Sequence, residues 1–253
     1  MLIINVVTHT PTLLSEAKAL AAELQLPYSN SIEQTGYSLI LTPDHLCLQH
    51  NTSKSLPLKI DFLAGKSAYR RQHASLKREA LARAMGLKNN THPKIVDATA
   101  GLGRDSFILA GLGFEVTMLE RSPIIQALLA DGIRRAIADP IVSNIAKRLH
   151  LISTDAKTWL TELPATERPE IIYIDPMFPT RTKSALVKKD MQIFHDIVGE
   201  DPDADSLLPL ALTCATKRVV VKRPRLAPHL ANMTPSFSQT GTSCRFDVYL
   251  KTK

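Results

Sequence analysis

Apolar residues in the first part of the chain predict a small unit of strands with one helix. They indicate strands over 2–8 and within 37–50, and a helix from Thr12 to Leu24 that ends before Pro27. The composition changes near residue 65, where basic and helix-favouring residues begin to dominate. We therefore predict a small N-terminal α/β domain over 1–64.

The remainder, 65–253, alternates short apolar segments with amphipathic segments that are typical of helices. The predicted strands are KIVDAT, FEVTMLE, LHLIST, EIIYID and RVVVKR, followed by the pair SFSQT and CRFDVYLK. Apolar strands that alternate with helices favour a mostly parallel sheet covered on both faces. The last two strands are joined through Gly241 by a link too short for a crossover, so we expect an antiparallel hairpin at one edge.

Cationic residues concentrate in three segments of this larger domain. The chain has a net charge of +7, and residues 64–90 alone hold seven basic side chains and one acid. The composition from Lys66 to Met85 predicts one helix. The cations on one face of that helix are Arg70, Arg71, Lys77 and Arg78. The two later clusters, which contain no acid, are Arg181, Lys183, Lys188 and Lys189, and then Lys217, Arg218, Lys222, Arg223 and Arg225.

We expect these three clusters to contact the phosphates of a polyanionic partner. The alternative is that the basic helix presents a solvated face that only keeps the protein soluble. Because two further clusters without acids occur later in the chain, the sequence favours the phosphate-contacting interpretation.

Several other classes of protein are disfavoured. No apolar run approaches the ~18 residues of a membrane span, and no basic leader precedes the first apolar residues, so we expect a cytoplasmic protein without membrane contact. The cysteines, Cys47, Cys214 and Cys244, are odd in number and far apart, which suits neither a disulfide framework nor a zinc site. No metal is expected, because the histidines near the N-terminus stand apart from other metal-ligating residues.

The first strand of the larger domain ends in an acid and a glycine-rich turn. Asp97 closes the strand, and Gly101 and Gly103 allow the backbone to turn sharply and to approach a ligand. A dinucleotide fingerprint needs a third glycine where Ser106 stands, which disfavours an NAD-dependent dehydrogenase. Asp97 and Asp105 place negative charge beside the turn, so the ligand is expected to be cationic or zwitterionic.

The next two strands also end near acids. Glu120 is placed to accept hydrogen bonds from the two ribose hydroxyls of a nucleoside, or alternatively to favour the dipole of the following helix. Asp155 and Ala156 follow the third strand, where a side-chain or backbone acceptor would meet an adenine amine. An aspartate there is also a common helix N-cap.

The fourth strand is followed by Asp175-Pro176-Met177-Phe178-Pro179. The amine of a nucleobase is a poor nucleophile, because its lone pair is delocalised into the ring. Asp175 and the Pro176 carbonyl would accept its N–H groups and aim the lone pair at a methyl donor, while Phe178 would stack on the base. We therefore expect Asp175, Pro176 and Phe178 to carry the chemistry. Adenine and protein-amide methyltransferases use similar motifs, and these residues alone do not choose among the substrates.

The segments DATAGLGRD, LER and DPMFP followed by KSALVKKDM closely resemble the small-subunit ribosomal RNA methyltransferase J family over roughly residues 60–253. The resemblance implies a Rossmann-like class I fold that binds S-adenosylmethionine. It also implies methylation of a guanine N2 amine in 16S ribosomal RNA, free or within the small subunit, without a stable protein partner. The cofactor contacts that it implies are Arg104, Asp105, Glu120, Arg121, Asp155, Ala156 and Asp175.

Two alternatives remain besides the dehydrogenase. One is a methyltransferase acting on the N6 amine of adenine. The other is a non-catalytic RNA-binding protein built on the same scaffold, which would keep the basic clusters but would not need Asp97, Glu120 and Asp175 together.

Overall fold

The computed structural model describes residues 3–53, 56–64, 70, 73–176, 189–199, 204–241 and 244–251. Two sheets organise them, one of four strands and one of seven. The smaller sheet lies at the N-terminus, and its elements are β1 (Ile4–Thr8), α1 (Leu14–Glu23), β2 (Tyr28–Ser29), β3 (Tyr37–Leu41) and β4 (Leu46–His50). Its strand order is β2-β1-β3-β4, with β1 parallel to both neighbours and β3 antiparallel to β4.

The larger sheet has the strands that the apolar segments predict. They are β5 (Ile95–Asp97), β6 (Val116–Glu120), β7 (Leu149–Ser153), β8 (Ile171–Ile174), β9 (Arg218–Pro224), β10 (Phe237–Thr240) and β11 (Cys244–Leu250). Their order is β10-β11-β9-β8-β5-β6-β7. The strands β5 to β9 are mutually parallel, whereas β11 is antiparallel to both β9 and β10. The predicted mostly parallel sheet with an antiparallel hairpin at its edge is therefore confirmed.

The helices of the larger part precede β5 or lie between these strands in the chain. They are α2 (Ala80–Ala84), α3 (Arg104–Gly111), α4 (Pro123–Ala138), α5 (Ser143–Ala146), α6 (Ala156–Glu162), α7 (Lys189–Val198) and α8 (Ala204–Cys214). Ser122 is the N-cap of α4 and Pro123 its first residue, where the fixed φ of proline suits a helix start. No helix among these ranges is long and apolar enough to cross a bilayer.

The prediction of one continuous helix from Lys66 to Met85 is wrong between Ala74 and Glu79. Residues 76–78 form a turn, and α2 begins only at Ala80. The turn forms because the carbonyl of Ser75 accepts hydrogen bonds from the backbone N–H groups of Arg78 and Glu79, at 3.0 and 2.9 Å. Residues 65–69 and 71–72 lie outside the described ranges.

The two sheets share a hydrophobic core. Phe62 stacks on Phe107 of α3 with ring centroids 4.4 Å apart. The backbone N–H of Leu46 in β4 donates a 3.1 Å hydrogen bond to the buried Asp131 of α4. The N-terminal sheet thus packs against the helices that cover one face of the larger sheet. The division into domains at residue 65 stays a prediction.

Candidate active site

A cavity of about 450 Å³ opens at the carboxyl ends of the parallel strands. Ligands of open α/β sheets bind at this edge, because the strand-to-helix turns leave a crevice there. The predicted site residues that line the cavity are Asp97, Gly101, Arg104, Asp105, Glu120, Arg121, Asp155, Ala156, Asp175 and Pro176. Gly103 is not among the lining residues, and Phe178 lies outside the described residues. The sequence therefore predicted most of one continuous cavity wall.

Asp97 lies buried at the end of β5 and is held by two donors. The hydroxyl of Ser106 donates a 2.5 Å hydrogen bond to Oδ2, and the backbone N–H of Thr99 donates one of 3.2 Å to Oδ1. Burial raises the pKa of Asp97 to about 7, although both hydrogen bonds oppose the rise. Asp97 is therefore a carboxyl group that changes charge near neutral pH beside the ligand cavity.

The two glycines of the turn face different parts of the structure, Gly101 the cavity and Gly103 the hydrophobic core. Both have a left-handed backbone, with φ of +53° at Gly101 and +69° at Gly103. A Cβ at Gly101 would lie 3.2 Å from the ring of Phe194, another lining residue. A Cβ at Gly103 would lie 2.8 Å from Leu129 and 3.2 Å from Phe62, within the core. Gly101 thus keeps the cavity open, whereas Gly103 allows α3 to pack.

Glu120 is tied to the glycine turn. Its Oε2 accepts a 2.9 Å hydrogen bond from the backbone N–H of Gly101, and Oε1 accepts one of 2.8 Å from Ser122. The carboxylate is buried, which raises the pKa of Glu120 despite these hydrogen bonds. Each oxygen retains acceptor capacity for a ligand hydroxyl.

Asp155 is the N-cap of α6. Its Oδ1 accepts hydrogen bonds from the backbone N–H groups of Lys157 and Thr158, at 2.9 and 3.2 Å. The alternative reading as a helix cap is therefore confirmed. The residue also lines the cavity, so its role toward a ligand stays a prediction.

Asp175 lies where β8 ends, and the neighbouring strands fix its position. Its backbone N–H donates a 2.7 Å hydrogen bond to the hydroxyl of Thr99. Its Oδ2 lies 2.8 Å from the Nζ of Lys222 on β9, and the same Nζ lies 2.8 Å from Asp105 Oδ2. Desolvation in the cavity and the negative charge of Asp105 raise the pKa of Asp175, while the ammonium of Lys222 opposes this.

Asp105 is the centre of a larger network. Its Oδ2 also accepts a 2.8 Å hydrogen bond from the hydroxyl of Tyr173, and its Oδ1 lies 2.6 Å from Arg70. Arg70 in turn pairs with Glu79 at 2.8 Å. Although burial alone would raise it, the charges of Lys222 and Arg70 hold the pKa of Asp105 well below its usual range. Both oxygens of Asp105 are therefore engaged within the chain.

The expectation that Arg70 and Lys222 belong to phosphate-contacting surfaces is wrong, because both side chains bind carboxylates in the cavity. In the 217–225 cluster, Lys217 pairs with Glu170, and Arg223 binds the carbonyl of Pro228. Among the described residues, the exposed cations of the predicted surfaces are Lys77, Arg78, Arg83, Lys88, Lys217 and Arg225. Lys66, Arg71, Arg181, Lys183 and Lys188 lie outside the described residues, as does the side chain of Lys189.

Sequence reasoning missed the polar residues that support the strand-end acids. These are Thr99, Ser106, Tyr173 and Lys222, which all bind Asp97, Asp105 or Asp175. Ser106 could have been found, because it lies one helical turn after the glycine turn. Lys222 is separated from its two partners by 117 and 47 residues, so no local spacing indicates the contact.

The polar groups that line the cavity fit S-adenosylmethionine. This cofactor carries a ribose diol, an adenine and two cationic groups. Glu120 offers buried acceptors for the diol, Asp97 and Asp175 offer carboxyl groups to the cationic part of the cofactor, and Gly101 leaves room for close approach of the backbone. Within the described ranges, no group of three or more His, Cys, Asp or Glu side chains is arranged to hold a metal ion.

Comparison with known proteins supports this assignment. Residues 19–251 match the SAM_MT family of SAM-dependent methyltransferases. The ribosomal RNA small subunit methyltransferase J of Thioalkalivibrio sulfidiphilus is 49% identical over 235 residues, which is 92% of each chain. The protein of the same name from Coxiella burnetii is 47% identical over 95% of this chain and 94% of its own. A SAM-dependent methyltransferase structure from Neisseria gonorrhoeae superimposes with a TM-score of 0.78 at 38% identity, covering 97% of this chain and 95% of that one.

The sheet order, the acidic cavity at its carboxyl edge and these similarities define a class I SAM-dependent methyltransferase. The similarity extends over both sheets of the molecule. The chain belongs to the ribosomal RNA small subunit methyltransferase J family. The resemblance found in the sequence is thereby confirmed, and the dehydrogenase alternative is excluded.

Proposed function

We propose that this enzyme methylates the exocyclic N2 amine of a guanosine in small-subunit ribosomal RNA, in the cytoplasm. Its relatives carry the name of small-subunit ribosomal RNA methyltransferases. The observation that carries the chemistry is the position of Asp175, which lies at the carboxyl end of β8 in the wall of the cofactor cavity.

The two carboxylate oxygens of Asp175 have different roles, since one binds a side chain of the protein and the other faces the substrate. Oδ2 binds Lys222, and the backbone N–H binds Thr99. From the residues that the structure describes, Oδ1 accepts no hydrogen bond. This oxygen is available to accept an N–H of the target amine and so to direct its lone pair. The adjacent Pro176, which also lines the cavity, supplies a second acceptor through its carbonyl.

When bound, S-adenosylmethionine supplies an electrophilic methyl group at a sulfonium centre. Glu120 is placed to hold the ribose, and the turn at Gly101 gives the cofactor access to the backbone. Asp175 Oδ1 orients the amine and can hold the proton that the nitrogen loses after methylation. A base reaches this cavity only when it is unstacked, so the target guanosine is expected to be exposed or flipped out of its helix.

The test is methyl transfer from radiolabelled S-adenosylmethionine to small-subunit RNA and to small subunits from cells lacking this protein. Mass mapping of the product should locate the methyl group on guanosine N2. Asp175→Ala should lower the rate by about 100-fold or more, since a misplaced amine loses its alignment. Undiminished turnover in this variant would refute the role of Asp175.

Two controls make the result specific. The exposed Asp44→Ala should transfer methyl groups like the wild type. S-adenosylhomocysteine should raise the melting temperature of both variants, because a ligand stabilises the folded state to which it binds. This result would show that Asp175→Ala keeps the fold and the cofactor site. Methylation of adenosine, or absence of transfer by the wild type, would support the adenine-N6 or the non-catalytic alternative.

A further inference from the structure

Among the described residues, Lys222 is the cation that pairs with Asp175 at the reacting end of the cavity. It lies on β9, one residue beyond Val221, which pairs with Ile174 immediately before Asp175. Its side chain is 29% exposed, and its Nζ lies 2.8 Å from one oxygen of Asp175 and 2.8 Å from one oxygen of Asp105. One ammonium group therefore bridges two carboxylates from different elements of the fold.

The two carboxylates depend on this ammonium to different degrees. Asp105 has a second cation, Arg70, at 2.6 Å and a hydroxyl donor, Tyr173, at 2.8 Å. Within the described part of the chain, Asp175 has an ion pair only with Lys222. Removal of the ammonium therefore leaves Asp105 paired but leaves Asp175 beside uncompensated negative charge.

Among the described residues, the other titratable groups around Asp175 are acidic or neutral, and they include the Cys244 thiol of β11. Asp105 reaches it from α3 and Asp97 from β5, and Tyr173 precedes it on β8. Arg70 lies on the far side of Asp105, bound to its other oxygen. A carboxylate among like charges in a desolvated cavity takes up a proton more readily, and a protonated Asp175 is a poorer acceptor for an amine N–H.

We propose that Lys222 is a positioning residue for methyl transfer, which fixes Oδ2 of Asp175 and keeps that carboxylate ionised, so that Oδ1 faces the target amine. This inference rests on the proposed function, since it concerns the same amine. Lys222 thus acts in the chemical step. The sequence had instead predicted that Lys222, as part of the 217–225 cluster, contributes to RNA affinity.

The experiment measures single-turnover methyl transfer to small subunits between pH 5.5 and 9. Lys222→Met removes the charge and keeps much of the aliphatic stem. We expect the acid limb of its pH profile to move upward by at least about one unit, which is about a tenfold lower rate along the acid limb, with recovery of the rate towards high pH. The KM for the subunits should change little, because Lys222 does not bind phosphate.

Two further variants separate positioning from structure. Lys222→Arg keeps the charge and should retain the wild-type acid limb even if its rate is lower. Lys147→Met, at an exposed lysine outside the predicted phosphate-contacting clusters, should behave like the wild type. If Lys222→Met folds poorly, Lys222→Gln keeps a hydrogen-bond donor for the two carboxylates but carries no charge, and it should show the same upward-shifted limb.

An unchanged acid limb in Lys222→Met, or an equal loss of rate at every pH, would overturn the role of Lys222. Either result would leave the proposed function intact, provided that the wild type methylates guanosine N2. Failure of the wild type to do so would overturn both.

Discussion

The hydroxyl of Ser106 donates a 2.5 Å hydrogen bond to the buried carboxyl group of Asp97. Ser106 stands where a dinucleotide-binding turn would have its third glycine, so the departure from that motif is also the residue that satisfies the acid of β5. The side chain ties the first turn of α3 to the end of the strand. The turn between them carries the glycines of the cofactor cavity.

Ser106→Ala should therefore destabilise the protein and weaken cofactor binding. The variant leaves a buried carboxyl group without one of its donors, which costs about 1–3 kcal/mol of unfolding free energy. Chemical denaturation measures this loss, and calorimetry with S-adenosylhomocysteine measures the affinity. Ser15→Ala, at an exposed position of α1, is the matched control. Equal stability of the two variants would contradict the importance of the Ser106 hydrogen bond.

The raised pKa of Asp97 makes the stability of the protein depend on pH. The unfolded chain loses this proton near pH 3.8, whereas the folded protein keeps it until about pH 7. The contribution to stability is thus complete below about pH 4 and is lost as the pH rises to about 7.

Asp97→Asn lacks this ionisation and can keep hydrogen bonds to Ser106 and Thr99. The difference in unfolding free energy between Asp97→Asn and the wild type should therefore change with pH. It should grow in favour of the variant by about 1–3 kcal/mol as the pH rises from 5 to 7.5. Parallel denaturation series of the two proteins measure the difference and cancel the titration of other groups. A constant difference across this range would show that Asp97 ionises normally.

Gly101→Ala and Gly103→Ala should have separable effects. Each forces a side chain into a left-handed backbone, at a cost of about 1 kcal/mol. Gly101→Ala narrows the cavity against Phe194 and should mainly weaken S-adenosylhomocysteine binding. Gly103→Ala would press on Leu129 and should mainly lower the melting temperature. The reverse assignment would mean that Gly103, rather than Gly101, adjoins the cofactor.

Lys77 and Arg78 are exposed on the turn before α2, and they remain candidates for contact with RNA. Each phosphate contact releases condensed counterions when the RNA binds, so fewer contacts release fewer counterions. Lys77→Ala/Arg78→Ala should therefore reduce the magnitude of the slope of log affinity against log salt concentration by about 1–2. Filter binding over a salt series measures this slope. The double variant Lys18→Ala/Lys147→Ala removes the same charge from other exposed positions and should leave the slope unchanged.

The acids that close the strands could be predicted from the sequence, whereas the cations that bind them could not. Asp97, Glu120 and Asp175 each follow an apolar strand, and parallel strands bring their carboxyl ends to one edge. Arg70 and Lys222 occur in clusters of cations, and clustering does not show which way a side chain points. Their partners lie 35 and 117 residues away along the chain, a relationship that only the folded sheet establishes.

The hydroxyl of Tyr37 in β3 donates a 2.6 Å hydrogen bond to Asp196 of α7. The same helix presents Phe194 and Val198 to the cofactor cavity. The four-stranded sheet therefore supports one wall of the cavity. A fragment that contains only the seven-stranded sheet and its helices would lose this support. Attempts to graft this catalytic unit onto another RNA-binding module should retain the N-terminal sheet.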